Sequence, residues 1–229
     1  MIPILYRDEW LVAVAKPAGL LVHRSHEARD REFLLQRVRD QLGGDWLYPV
    51  HRLDRACSGV VAFGCSSAAA RALQAALAAP GTIKEYLCLV VGRAPERFEI
   101  ERPLTNRETG RKQTARTTFR RVLAIDGCAQ SPLTLLRARL HSGRRHQIRR
   151  HLARAGHFIL GDTTYGKGRI NRPFRACYGL PRLCLHAHRL RLAHPADGAA
   201  LELIDPLADD LRAFVGLLPG IDSKQLDCL

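Results

Sequence analysis

The apolar residues of this chain come in short blocks, and that pattern bounds the fold more tightly than any other feature. Ile4–Tyr6 and Trp10–Ala15 flank the polar Arg7-Asp8-Glu9 and predict a hairpin. Gly59–Gly64 and Ile83–Val91 are strand-length apolar runs. Thr114–Ala124 and Leu133–Leu140 read as an antiparallel pair around Asp126-Gly127, and Leu183–Leu192 alternates like a half-buried strand. Between them fall helical spacings. Leu34, Leu35, Val38 and Leu42 predict a helix over Arg31–Leu42. Ser67 can cap an Ala/Leu helix ending near Pro80-Gly81. A helix is expected over Arg145–Ala155, preceded by Gly143 and stopped at Gly156, and a final one over Pro206–Leu217. Strands with interspersed helices, several joined by hairpin-length loops, predict an α+β fold with a largely antiparallel sheet.

No apolar run approaches the roughly 18 residues of a membrane helix, so a membrane-spanning role is excluded. Met1–Trp10 has no apolar secretory core, so a cytoplasmic location is expected. There is no internal repeat and no linker, and 229 residues suit a single domain, 1–229, able to bury its own core.

Charge narrows the partner. Lys and Arg outnumber Asp and Glu 36 to 22, a net of +14, and the excess is uneven. The window 137–191 holds 14 basic residues and a single acid, Asp162, whereas 200–229 has two basic residues and six acidic ones. Codon bias can explain Arg over Lys. It does not explain why acids nearly vanish from one window, which is the mark of a polyanion-binding surface. The plainest reading of the acidic 200–229 segment is a solvated helix.

Seven cysteines, with no Cys-x-x-Cys, fit scattered reduced thiols and neither a disulfide framework nor a zinc knuckle. His186 and His188, or His146 and His151, do not have the spacing of a metal site, so no metal is expected. The signatures of nucleobase deaminases and of a Gly-rich phosphate loop are absent too.

Four local clusters could carry chemistry. His51-Arg52-Leu53-Asp54-Arg55-Ala56-Cys57-Ser58-Gly59 is a loop entering a strand. Asp54, set between Arg52 and Arg55, is an acceptor-only group suited to act as nucleophile or base. The plainer alternative is a turn aspartate satisfying backbone amides. Gly143-Arg144-Arg145-His146-Gln147-Ile148-Arg149-Arg150-His151 would place Arg145 with Arg149, and His146 with Arg150, at like-charge i,i+4 spacing. That costs stability unless an anion meets them, and a solvated basic face does not account for Ile148, which needs an apolar wall. Lys84 and Tyr86 share one strand face, where a base could stack on the ring with a phosphate near the ammonium, or the ring could simply pack inward. Lys16-Pro17-Ala18-Gly19 reads as a plain turn.

In this order, Lys16–Gly19, His51–Gly59, Lys84–Tyr86, Gly143–Arg149 and His157–Gly166 make the chain resemble the RluA family of pseudouridine synthases, over roughly residues 4–205. The resemblance implies the family's fold, a mixed, mostly antiparallel central sheet flanked by helices and loops. It implies that Asp54 is the catalytic aspartate, Arg52 fills the gap left by a flipped-out uridine, Tyr86 packs on the target base, Arg149 pairs with the aspartate, and Ile148 lies beside the base. Arg55, Lys84, Arg144, His146 and Gln147 join Arg52 and Ile148 as expected RNA-binding residues. Cys57 stands where the family has Thr, and Phe158 where it has Pro.

The start at Ile4–Trp10 with no preceding S4-type domain, His23-Arg24-Ser25, and Gly161–Arg172 are similar to a branch that modifies uridine-65 in the tRNA T-stem. Other branches modify other tRNA or 23S rRNA uridines. The expected partner is RNA, the expected state a monomer, and the expected cofactor none, because the isomerisation neither adds nor removes atoms. Two alternatives stand beside this: a non-catalytic RNA-binding protein on the same fold, and a metal-dependent nuclease using Asp54, Asp162 and histidines.

Overall fold

The computed structural model describes residues 1–24, 32–128 and 131–227. Ser25 and Arg31, and Cys228 among the seven cysteines, lie outside the described residues. In chain order the elements are β1 (Ile4–Arg7), β2 (Leu11–Lys16), α1 (Leu34–Gln41), β3 (Tyr48–Pro49), β4 (Ser58–Gly64), α2 (Ser67–Ala78) and β5 (Ile83–Val91). Next come β6 (Arg97–Glu101), β7 (Leu104–Thr105), β8 (Lys112–Gln113), β9 (Arg116–Ile125), β10 (Leu133–Leu140) and α3 (Gln147–Arg154). The chain closes with α4 (Gly168–Tyr178), β11 (Leu185–Ala193), β12 (Ala200–Ile204), α5 (Asp209–Gly216) and α6 (Ser223–Leu226). Among the described residues no helix is long and apolar enough to cross a membrane.

Two compact units emerge. The first comprises residues 1–84 and 187–206. Its strands run in the order β1-β2-β4-β11, with β3 on β4 and β12 on β11. The expected hairpin is present, with Tyr6 opposite Ala13 and Arg7 opposite Val12. Asp8 closes it: one carboxylate oxygen accepts from the amides of Trp10 and Leu11, both at 2.8 Å. Leu11 and Ala13 of β2, Val60 and Ala62 of β4, and Leu190 and Leu192 of β11 share one apolar cluster with Leu73 and Leu77 of α2. Period two on the strands and period 3.6 on the helix bring these side chains to one layer. The helix cap is Ser66, not Ser67. Ser66 is extended, and its hydroxyl accepts from Ala69 N at 3.0 Å, while Ser67 is already helical.

The second unit comprises residues 85–186 and 207–229. Its strand order is β5-β10-β9-β6, all antiparallel neighbours, with β7-β8 a separate small hairpin. Helix α3 lies on one face of this sheet. Buried His151 meets Thr117 of β9 at 3.0 Å through Nδ1, and Gln147 Nε2 donates to the same hydroxyl at 2.9 Å.

Several boundaries differ from expectation. The expected 145–155 helix starts only at Gln147, because His146 adopts a left-handed conformation, φ 55°. Arg145 and His146 therefore precede the helix, and neither like-charge pair expected along it forms one helical face. The acidic C-terminal segment is not a solvated helix. It contains β12, then α5, which buries Leu211, Phe214 and Val215, then α6, capped by Asp222. One of its acids, Asp210, grips Arg182 at 2.6 and 2.8 Å. Helix α4, with Pro173 inside it, has no counterpart among the helices the sequence predicts.

Candidate active site

In the first unit the loop between β3 and β4 carries His51, Arg52, Asp54 and Arg55. Leu53 and Cys57 are buried and anchor it, Asp54 is half-buried, and Arg52 and Arg55 are exposed. The loop is closed by Cys57 N donating to Asp54 O at 3.1 Å. A second tie comes from Lys16, at the end of β2. This lysine is 1% exposed, and its ammonium donates to Pro17 O at 2.8 Å, Leu20 O at 2.6 Å and Arg55 O at 3.2 Å. Gly19 N donates to the same Arg55 carbonyl at 2.8 Å. The Lys16–Gly19 segment is thus more than the plain turn expected from its residues: it pins the carbonyl next to Asp54.

His51 is a structural acceptor. Its Nε2 accepts from Ala62 N at 2.9 Å, which fixes the proton on Nδ1. Burial, with the positive charge of Lys84 adding to it, pulls the imidazole pKa down to about 4. Lys84 donates to Leu77 O at 2.7 Å, one of the unpaired carbonyls at the end of α2, and burial lowers its own pKa. The thiol of Cys57, standing where a threonine was expected, donates to Ser58 O at 3.4 Å.

In the second unit Tyr86 is half-buried on β5, opposite Ala138 of β10. Ile148 is buried, with 4% exposure. Gln147 is an internal strut. Its Oε1 accepts from Ser142 Oγ at 2.9 Å and Arg144 N at 3.0 Å, while its Nε2 donates to Arg116 O at 2.9 Å besides Thr117. Arg144 donates to Thr114 O at 3.1 Å.

Arg149 is buried and forked onto Asp162. Nε donates to Oδ2 at 2.8 Å and Nη2 to Oδ1 at 3.0 Å, with the two side chains 8% and 2% exposed. Oδ1 also accepts from Thr164 N at 2.8 Å and Tyr165 N at 2.9 Å. Burial alone would raise the Asp162 pKa. The Arg149 hydrogen bond, the Tyr165 amide, the arginine's charge and the Thr164 amide outweigh it, and the carboxyl lies below its usual range. The Arg149 guanidinium also sits 5.1 Å from the centre of the Tyr165 ring, whose hydroxyl lies 3.0 Å from His146 Nδ1. Asp162 and Tyr165 organise this cluster, and residue-by-residue reasoning gave them no such role. The only signal was their place in Gly161-Asp162-Thr163-Thr164-Tyr165-Gly166. Gly161 is required there: its φ is +81°, and a Cβ would fall 1.9 Å from Arg182 O. At the Phe158 position the ring lies under the Lys167 ammonium at 4.8 Å. Among the described residues there is no group of three or more His, Cys, Asp or Glu side chains able to hold a metal ion.

Residues 10–154 match a family model described as RNA pseudouridylate synthase. The chain is 39% identical over 212 residues to a tRNA pseudouridine synthase C of Vibrio cholerae, covering 85% of this chain and 86% of the relative. It is 39% identical over 218 residues to the Salmonella typhimurium protein of the same name, covering 88% and 84%. Among solved structures it resembles human RNA Pseudouridylate Synthase Domain Containing 4, with a TM-score of 0.75, 22% identity, and coverage of 93% and 91%; that likeness concerns the fold.

Proposed function

The chain belongs to the RNA pseudouridylate synthase family, of the RluA type, and on that premise we propose that it converts a T-stem uridine of tRNA, uridine-65, to pseudouridine with Asp54 as the catalytic carboxylate. It is an isomerase: the C1′–N1 bond of uridine breaks, the base turns, C5 bonds to C1′ and gives up its hydrogen as a proton, and N1 takes up a proton, so the composition is unchanged. Asp54 would open this sequence by attacking base or sugar, or by taking a proton as a glycal forms. The uridine must first leave its stack, at a cost of a few kcal/mol, and Arg52 offsets part of that by occupying the vacancy. Tyr86 packs on the extruded base. Arg149 is assigned as the cation that accompanies the reacting carboxylate. The enzyme works as a monomer, without metal or other cofactor.

The observation carrying this reading is the loop of Asp54, whose half-buried carboxylate sits in backbone held by a solvent-excluded lysine. Such fixation is what a reacting group needs and a casual turn does not. The tRNA assignment rests on relatives that are named for tRNA and match over most of both chains. Mapping pseudouridine in cellular RNA with and without the gene tests it. One T-stem site should disappear. A lost site in 23S rRNA or elsewhere in tRNA would replace the substrate, and an unchanged map would refute the function.

A further inference from the structure

Three strands of the second unit carry arginines directly opposite one another. Arg97 of β6 pairs in register with Arg120 of β9, and Arg120 with Arg137 of β10. In the next row on the same face, Arg139 stands between Glu85 and Thr118, and Glu99 follows. Neighbouring strands lie about 4.8 Å apart, so three guanidinium stems rise from a row only about 10 Å across. Like charges placed directly opposite destabilise a sheet.

The local carboxylates do not cancel the row. Glu85 meets Arg137 at 3.3 Å, but Glu99 is held by Nε and Nη2 of Arg116, at 2.9 and 2.8 Å. Arg97 and Arg120 are exposed, and neither they nor Arg139 make an ion pair among the described residues. The Nε atoms of Arg137 and Arg139 are shut off from solvent without a hydrogen-bond partner. Burial first, then the charges of Arg116 and Arg139 against the opposing charge of Glu99, hold neighbouring His141 below its usual pKa.

This row does not belong to the candidate active site. Side chains alternate along a strand, so Tyr86, paired with Ala138, projects from the other face, with Thr117 and Phe119 and with α3 packed upon it. We propose that the arginine row of β6, β9 and β10 is a second docking surface, which grips the phosphate backbone of the substrate RNA at a point remote from the modified uridine. Guanidinium forks match phosphate oxygens bidentately, and a row of them bridges successive phosphates, relieving the repulsion within the sheet. The inference rests on the chain's acting on RNA, which selects nucleic acid over an acidic protein as the occupant.

The test compares a full-length tRNA transcript with an isolated T-arm hairpin. The variant is Arg97→Gln/Arg120→Gln/Arg139→Gln, and the control Arg71→Gln/Arg191→Gln. For the triple variant, affinity for full-length tRNA should fall about tenfold or more. The slope of log affinity against log salt should become shallower by about 0.7–0.9 for each phosphate no longer neutralised. Hairpin affinity and kcat at saturating tRNA should stay as in the parent. An unchanged affinity and salt slope, an equal loss in the control, or an equal loss on the hairpin would overturn the proposal. Binding is read without turnover. A parent that binds tRNA through this row yet forms no pseudouridine therefore upholds the docking surface while refuting the proposed function.

Discussion

Arg149 and Asp162 form a solvent-shielded fork: two parallel hydrogen bonds of 2.8 and 3.0 Å, with two backbone amides completing the carboxylate. The arginine is therefore aimed by a partner that arrives 13 residues later, in a turn made tight by Gly161. Replacing Asp162 by Asn keeps the shape but removes the negative charge that both of these buried guanidinium bonds meet. Such a loss destabilises by about 3–5 kcal/mol. Urea denaturation at neutral pH should show it, and in the fraction that folds, kcat should drop more than KM rises.

Asp54→Asn removes the reacting charge at almost constant volume. Pseudouridine formation should become undetectable in single-turnover assays, while tRNA affinity stays within a few-fold of the parent. Turnover retained within tenfold would mean that another group carries the chemistry.

Lys16→Met tests the tie between β2 and the Asp54 loop. The change takes the ammonium donor from the Pro17 and Leu20 carbonyls, while the Arg55 carbonyl keeps Gly19 N at 2.8 Å. Unmet buried acceptors cost about 1–3 kcal/mol each, though relaxation and water recover part. A lower urea midpoint and a fall in kcat beyond tenfold are expected. A variant with full kcat would show that the loop holds itself.

Stability should decline in acid well before the carboxylates titrate. The folded-state pKa of His51 is about 4, against about 6.5 unfolded. Below pH 6.5 the unfolded chain takes up a proton that the folded chain refuses, so stability is full above that pH and falls as pH drops toward 4. The loss amounts to about 3 kcal/mol from this residue. His23, His141 and His151 are shifted down too and act with the same sign. Unfolding curves at intervals from pH 7.5 to 4.5 should show the decline, and His51→Gln should flatten it by the share of that one imidazole.

Gly59→Ala should be among the most harmful single-methyl additions. Gly59 has φ +119°, and an added Cβ would lie 2.2 Å from Ala187 O, a backbone atom that cannot swing aside. A loss of about 3 kcal/mol or more is expected in the urea midpoint.

Strand and helix identity was largely legible because it follows from local period. Ile83–Val91 forms a strand with the predicted bounds, and Leu133–Leu140 does too. The hairpin at Ile4–Lys16 followed from two apolar runs and a polar turn. Weakly patterned pieces were missed: β7 and β8 are two residues each, and α4 contains a proline.

By itself the sequence determined which residues alternate, where polar turns interrupt them, and which motifs occur in which order. Those are properties of neighbours along the chain. Only the tertiary structure decided that His146 turns left-handed and ends the helix short of Arg145, that Lys16 reaches the Arg55 carbonyl 39 residues on, and that Arg97, Arg120 and Arg137 stand abreast. Each of these depends on register and packing between segments far apart in sequence. A strand's own period fixes its two faces, but not which neighbour it meets or at which residue.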